Sequence, residues 1–99
     1  MIRDFFLGFI KIHILHHAEK EPVYGLWLIE ELGRYGYKLS PDTLYPILHK
    51  LQEEKLLKQH SVLVDGKIRK YYRTTAKGTK ILTEIRGKIR ELTEEIIND

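Results

Sequence analysis

The dipeptide Asp65-Gly66 joins two stretches with strand-forming composition, LLKQHSVLV and KIRKYYRTT. A two-residue type I′ turn needs positive φ at both central positions, and aspartate and glycine accept that conformation. A hairpin closed by this turn pairs Leu63 with Ile68 and Val62 with Arg69. Since the rest of the chain shows helical spacing of apolar residues, the hairpin is the single β element that the sequence predicts.

Two helices are predicted before residue 36. Residues 3–17 carry apolar side chains on more than one face, so this first helix is expected to be buried by its own core and by a second subunit. Glu21-Pro22 should end it. A second helix is predicted from about Val23 to Tyr35, because Gly25, Leu28, Ile29 and Leu32 recur at helical spacing.

The third predicted helix begins after Leu39. Ser40 suits its N-cap, and Pro41 suits its first position, where the missing N–H of proline costs nothing. Pro46 falls on the outward side, where water can reach the carbonyl that it leaves unpaired, so the helix is expected to continue through it. The side facing the core carries Leu44, Ile47, Leu48 and Leu51.

A fourth helix is predicted from Thr75, as N-cap, to about Ile97. Its apolar seam has the 3-4 spacing of a coiled coil. A helix packed on its own domain would show the same spacing, but about 30 Å of helix is longer than a domain this small covers, so a second subunit is favoured. The predicted dimer interface consists of Phe5, Phe9, Leu82, Ile85, Ile89, Leu92 and Ile96.

The order helix, helix, helix, hairpin, helix is that of a helix-turn-helix followed by a β wing. Within it, Tyr24-Gly25, Leu39-Ser40, the block TLYPIL (43–48), the tyrosines and arginine of YYR (71–73) and Lys77-Gly78 resemble the pattern of PadR-type transcriptional regulators. The resemblance implies a dimeric winged-helix repressor, with the third helix in the DNA major groove and the wing on the flanking backbone. The expected fold class is mainly α with a small β hairpin, divided into a winged helix-turn-helix DNA-binding domain (1–75) and a C-terminal dimerisation helix (76–99) that form one compact unit.

Two departures from the family pattern concern the third helix. Asp42 stands where the family usually has glycine, and an acid there would repel a nearby phosphate. Lys55 stands where glycine is common in the turn after this helix, so a left-handed C-cap is expected to be strained or absent.

The predicted DNA contacts come from two segments, the outward side of the third helix with the residues just before it and the basic stretch after the hairpin turn. From Gly66 to Lys80 there are six basic residues and no acid, within a net charge of +3, although a solvated basic face is the alternative. Tyr71 and Tyr72 lie on opposite faces of their strand, so one of them belongs to the core, and Tyr72 is assigned to DNA. The full set is Lys38, Ser40, Thr43, Tyr45, His49, Lys50, Lys67, Arg69, Lys70, Tyr72 and Lys77.

Trp27 lies outward from the stripe of its own helix. Either the first or last helix covers it, from its own subunit or from the partner, or it lines a pocket for a small aromatic effector. His13, His16 and His17 have a spacing that suits metal ligands, but no carboxylate stands at a helpful position, so no metal site is predicted.

Other classes of protein are disfavoured. The chain has no cysteine, no Gly-rich phosphate loop and no convincing pair of carboxylates, so neither an enzyme nor a cofactor is expected. Its longest apolar stretch, FFLGFIKIHIL, is too short to cross a bilayer, so a cytoplasmic protein is expected. The alternative function is a winged-helix module that binds protein through Trp27 and the first helix and never touches DNA.

Overall fold

The Asp65-Gly66 turn forms as predicted in the computed structural model, which describes residues 1–98. Asp65 and Gly66 have φ values of 50° and 77°. The antiparallel register places Leu63 opposite Ile68 and Val62 opposite Arg69, which confirms the predicted pairing.

Four helices and the hairpin follow one another in the predicted order, which confirms the expected fold class. Asp99, the last residue of the predicted segment 76–99, lies outside the described residues. The elements are α1 (Ile2–Lys20), α2 (Gly25–Gly33), α3 (Pro41–Glu53), β1 (Leu57–Val64), β2 (Lys67–Thr74) and α4 (Ala76–Ile96).

The segment before α2 extends the hairpin by one short bridge. Val23 and Tyr72 exchange backbone hydrogen bonds of 3.0 Å and 2.7 Å, so Val23 lies alongside β2. Because Val23 is engaged in this way, α2 begins at Gly25 rather than at Val23. It ends at Gly33 rather than at Tyr35, and the chain then turns at Gly36, which has a φ of +87°.

The core lies where α1, α2 and α3 meet the base of the hairpin. Each of the four α3 residues predicted to face inward is buried, with at most 8% of its surface exposed. They pack with residues such as Ile14 of α1 and Leu28 of α2 in one apolar cluster. Pro46, on the other side of α3, is exposed, and α3 continues through it as predicted. Pro46 also lines a shallow groove of about 690 Å³ with Ile2 and Phe6 of α1.

The two predicted N-caps behave differently. The Thr75 hydroxyl accepts a hydrogen bond from the backbone N–H of Gly78 at 3.0 Å, which caps α4 as predicted. Within the described part of the chain, the Ser40 hydroxyl makes no such cap bond for α3 and lies instead 3.2 Å from the Thr43 hydroxyl. Ser40 therefore occupies the N-cap position without using its side chain for the cap.

A left-handed residue follows α3 despite the absence of glycine. Lys55 has a φ of 63°, the backbone N–H of Leu56 donates to the Leu51 carbonyl at 2.9 Å, and that of Lys55 donates to the Gln52 carbonyl at 2.9 Å. This pair of bonds is a Schellman motif. The C-cap is therefore present, with a lysine in a conformation that favours glycine.

Within residues 1–98, none of the helices has the length and apolar character needed to span a membrane.

Candidate nucleic-acid interface

The exposed side of α3 and the loop before it carry six polar side chains that can pair with phosphate oxygens or base edges. They are Lys38, Ser40, Thr43, Tyr45, His49 and Lys50. Acids lie among them: Asp42 is in the first turn, and Glu53 Oε1 is 3.3 Å from His49 Nε2. The positive charge on this side of α3 is therefore partly balanced within the helix itself.

Tyr45 is positioned by the first residue of α2. A Cβ atom added to Gly25 would lie 2.5 Å from the Tyr45 hydroxyl oxygen and 2.8 Å from Cζ, closer than nonbonded atoms can approach. The Tyr45 ring, which is 44% exposed, therefore rests directly on the Gly25 backbone. Gly25 belongs to the family pattern found in the sequence, but its contact with Tyr45 has no local sequence signal.

The wing presents Lys67 and Lys70 as exposed side chains, whereas Arg69 is partly buried. The Arg69 guanidinium carbon lies 4.1 Å from the centroid of the Tyr24 ring, a cation–π geometry. Arg69 Nη1 also donates a long hydrogen bond of 3.5 Å to the Tyr71 hydroxyl. Arg69 is thus engaged with two aromatic residues of its own chain.

Tyr72 was wrongly assigned to DNA contact. It is only 4% exposed and belongs to the apolar core, and burial raises the pKa of its phenol. Its side of β2 faces the interior of the domain, where α1 packs against the strand and Tyr72 joins the apolar cluster. Tyr71 is the partly exposed member of the pair, and its ring meets Tyr24 edge-on at 5.5 Å.

Lys77 is exposed but lies at the far end of α3. Its ammonium donates a hydrogen bond of 3.0 Å to the Glu54 carbonyl, directly after the last residue of α3. A cation at a helix C-terminus is favourable because the helix dipole places negative charge there. Glu54 is about 6 Å along the axis from Lys50, so Lys77 stabilises the C-terminal end of α3 one turn beyond the last of its predicted DNA contacts.

An open groove of about 900 Å³ separates α3 from the wing. One wall is formed by Tyr45, the floor by Tyr24-Gly25, and the other wall by wing residues that include Lys67 and Lys70. The two elements predicted to touch DNA therefore flank the same cleft.

The predicted dimer residues divide into three groups by exposure. Leu82 was wrongly assigned, because it is fully buried in the core of its own chain where α4 crosses α1. Ile85 is partly buried. The others expose between 42% and 66% of their surface and are Phe5, Phe9, Ile89, Leu92 and Ile96.

Trp27 is partly buried, and the His17 ring meets it edge-on at a centroid distance of 5.3 Å. It is thus covered by α1 of its own chain, as one of the two interpretations expected. An apolar cavity of about 490 Å³ lies nearby between α1 and α4. Within residues 1–98, Trp27 is not among the residues that line this cavity, whose walls include Phe9, His13, Leu92 and Ile96.

The histidines of α1 contact the neighbouring helices. Arg86 of α4 lies 3.0 Å from His16 Nδ1 and 3.1 Å from Glu19 Oε1. Burial lowers the pKa of His16, and the cations Lys20 and Arg86 lower it further. His17 Nε2 lies 3.5 Å from the Glu31 carboxylate of α2, but burial still lowers the pKa of His17. In the described part of the chain, no group of three or more potential ligands is arranged to hold a metal ion.

Most of the chain is similar to proteins of one known family. The family model described as "Transcriptional regulator PadR-like family" matches residues 14–84. A Mycobacterium tuberculosis protein named Transcriptional regulator Rv3488 is 45% identical over 96 residues, which cover 97% of this chain and 90% of that protein.

Two solved structures resemble the fold over most of its length. A PadR-like transcriptional regulator from Bacillus cereus strain ATCC 14579 has a TM-score of 0.83 and 31% identity, covering 92% of this chain and 90% of that one. A PadR family regulator from Eggerthella lenta DSM 2243 has a TM-score of 0.81 and 30% identity, covering 97% and 85%. The matching family model, the Mycobacterium tuberculosis protein and both structural neighbours all carry the name of transcriptional regulators. The chain therefore belongs to the PadR-like family of transcriptional regulators.

Proposed function

We propose that this regulator is a homodimer that binds double-stranded DNA sequence-specifically and represses transcription from a pseudo-palindromic operator. The observation that carries the proposal is the groove of about 900 Å³ that Tyr45 of α3 and Lys67 and Lys70 of the wing line together. With α3 in the major groove, this arrangement lets the wing meet the phosphates beside it.

The distribution of charge supports a polyanionic partner. The segment from Gly66 to Lys80 carries six basic residues and no acid, although the whole chain has a net charge of only +3. In this proposal α3 reads base edges through Thr43, Tyr45, His49 and Lys50, while Lys67 and Lys70 neutralise phosphates. Tyr72 is no longer included, because it is buried.

The shape of the chain supports a dimer. Its radius of gyration is 14.5 Å, larger than the roughly 13 Å typical of a compact domain of about 100 residues. The difference is consistent with α4, whose 21 residues extend about 32 Å at 1.5 Å per residue. Residues 1–75 then form the DNA-binding part and 76–99 the dimerisation helix, which would set two α3 helices on half-sites about one helical turn apart.

An effector, in this proposal a small aromatic molecule, would occupy the apolar cavity between α1 and α4 rather than a site at Trp27, and it would lie at the proposed dimer interface, because Phe9, Leu92 and Ile96 belong to both. The cavity has about 490 Å³, enough for such a molecule, and lies between the DNA-binding part and the proposed dimer helix. The covering of Trp27 by His17 also counts against the alternative that Trp27 binds a protein partner.

The experiment is selection of bound sequences from a random duplex pool, followed by salt titration of binding to the enriched fragment. We expect one enriched, roughly two-fold symmetric sequence and an affinity that falls steeply with salt. Because the dimer loses one phosphate contact from each subunit, Lys67→Ala and Lys70→Ala should each lower the magnitude of the salt slope by about 1.8. Lys88→Ala is the matched control, because Lys88 lies on α4 beside Glu91 and away from the wing. If no sequence is enriched, the chain is not a sequence-specific DNA-binding protein.

A further inference from the structure

Two consecutive residues connect the wing to the recognition helix α3. Tyr24 contacts the wing through Arg69 and Tyr71, with centroid distances of 4.1 Å to the guanidinium carbon and 5.5 Å to the tyrosine ring. Gly25, the next residue, lies under the ring of Tyr45. Tyr24 and Gly25 therefore link the wing to α3 across one peptide unit at the start of α2.

The outer part of the wing has few other contacts that could hold it in place. Leu63 and Ile68, the cross-strand pair next to the turn, are 72% and 73% exposed. A two-stranded hairpin without a packed face is only marginally stable on its own. Arg69, one residue inside that pair, stacks on Tyr24 and so ties the outer part of the wing to the body of the domain.

Arg69 differs from its basic neighbours in this respect. Lys67 and Lys70 are exposed, and within residues 1–98 neither forms a salt bridge, so their ammonium groups are available to an anion. The Arg69 guanidinium is already in contact with the face of Tyr24 and the hydroxyl of Tyr71. Binding a phosphate in an extended conformation would require it to leave both.

We propose that Tyr24, Arg69 and Tyr71 form a wing clip, which fixes the angle of the wing relative to α3 and so acts as a specificity determinant without contacting phosphate. Arg69 and Tyr24 are then positioning residues, and Lys67 and Lys70 are the phosphate contacts. The proposal rests on the proposed function, since it concerns how a DNA-binding wing is held. A loose wing would still attract DNA by charge, but its phosphate contacts would no longer hold α3 in one register.

The first test needs no DNA. Heteronuclear NOE measurements on ¹⁵N-labelled protein report the mobility of the backbone at residues 62–69. We expect Arg69→Ala and Tyr24→Leu to lower the NOE values of this segment, and Tyr24→Phe, which keeps an aromatic face for Arg69, to retain them. Lys70→Ala is the control and should also retain them. Unchanged values in Arg69→Ala would overturn the wing clip whatever the protein binds.

The second test uses the DNA fragment enriched by the wild-type protein and a scrambled duplex of the same length. Arg69→Ala should keep the salt slope of the wild type while its affinity ratio for the two duplexes falls about tenfold, the size of one lost base-edge contact. Lys70→Ala should do the opposite, losing about 1.8 of slope, one contact from each subunit, while keeping the ratio. Tyr24→Phe should restore the ratio that Tyr24→Leu loses.

The outcomes separate the wing clip from the proposed function. If Arg69→Ala also loses about 1.8 of slope, Arg69 is a phosphate contact, and the wing clip is wrong while DNA binding stands. An unchanged affinity ratio in Arg69→Ala likewise removes its role in specificity. If the wild type enriches no sequence, the proposed function fails, and the NOE measurement still decides whether Arg69 holds the wing. Because Arg69 lies on a wing that exposes its tip, Arg69→Ala should fold even if Tyr24→Leu does not.

Discussion

Lys55 and Thr75 connect the end of α3 to the start of α4. The Thr75 hydroxyl donates to the Lys55 carbonyl at 2.6 Å and at the same time accepts from the Gly78 N–H at 3.0 Å. One hydroxyl therefore serves the turn after α3 and caps the next helix. The C-terminal end of α3 and the N-terminal end of α4 are fixed to each other by this side chain.

Replacing Lys55 with glycine should stabilise the protein. Lys55 has a φ of 63°, and a left-handed conformation costs a residue with a Cβ about 1 kcal/mol that glycine does not incur. We expect the free energy of unfolding to rise by about 1 kcal/mol, and the melting temperature by about 4–8 °C at a fixed protein concentration. Thermal unfolding followed by circular dichroism measures this.

The same substitution within a helix is the control for Lys55→Gly. Lys80 is an exposed residue inside α4, where glycine costs about 1 kcal/mol relative to a good helix former. Lys80→Gly should therefore lower the melting temperature. If both variants destabilise the protein, the left-handed conformation of Lys55 is not a source of strain.

Thr75→Val should destabilise the protein more than Ser40→Ala, although both residues occupy N-cap positions. The valine removes a cap bond and the bond to the Lys55 carbonyl, which together contribute about 1–2 kcal/mol. The Ser40 hydroxyl contacts only Thr43 in the described structure, so its loss should cost about 0.5 kcal/mol or less. Urea unfolding measures both, and an equal loss would show that the Thr75 bonds add nothing.

Gly25→Ala should destabilise the protein because its new methyl group meets the ring of Tyr45. The added Cβ would lie 2.5 Å from the Tyr45 hydroxyl, so that side chain must move, at a cost of about 1–3 kcal/mol typical of overpacking. In a Tyr45→Ala background most of this cost should disappear, and a double-mutant cycle measures the difference.

Gly33→Ala, at the other end of α2, is the control for Gly25→Ala. An added Cβ there meets no atom of the described residues within 4 Å beyond its own helix and chain neighbours. Alanine should therefore be neutral or stabilising by up to about 1 kcal/mol. A cost of Gly25→Ala that persists without Tyr45 would mean that another contact is responsible.

Stability should fall as the pH drops below about 6.5. Burial and the nearby Lys20 and Arg86 lower the pKa of His16 from its ordinary 6.5, while Glu19 opposes them only in part. Since the folded-state pKa lies below the unfolded one, the unfolded chain binds more protons between the two values, and stability rises with pH there. The contribution is complete above 6.5 and is lost as the pH falls toward the lowered pKa.

The contact between Arg86 and His16 explains this pH dependence. Arg86 donates to Nδ1 of His16, which accepts only when that nitrogen carries no proton, so an imidazolium would repel the arginine and loosen the contact between α1 and α4. Urea unfolding at pH 7.5, 6.5 and 5.5 should show a shallower pH dependence in His16→Gln than in the wild type. His60→Gln, on the exposed wing, is the control and should keep the wild-type dependence. A wild-type stability that is flat over this range would contradict the expectation.

Local patterns predicted most of the fold, and long-range contacts account for what was missed. The register of the hairpin and the buried stripe of α3 depend on neighbouring residues, so the sequence was sufficient for both. Which tyrosine of β2 is buried depends on which face of the hairpin packs against α1 and the core, a long-range contact with no local signal. The stacking of Arg69 on Tyr24 is another contact between distant segments, and in the proposed wing clip it replaces the phosphate contact that charge alone suggested for this arginine.

The exposed part of the α4 seam should hold two chains together. Leu92 is 53% exposed and Ile96 66% exposed, on a helix whose opposite side carries Thr83. Leu92→Glu places a charge in an apolar interface and should convert the dimer to a folded monomer, since burying an unpaired carboxylate is costly. Thr83→Glu adds the same charge on the opposite side and should leave the dimer intact. Sedimentation equilibrium at micromolar concentration distinguishes the two states.

Leu82→Ala tests the corrected assignment, because truncating a fully buried core residue should cost about 2–5 kcal/mol of stability whether or not the chain dimerises. A wild-type protein that sediments as a monomer would contradict the dimer, and the cavity between α1 and α4 would then be open to solvent.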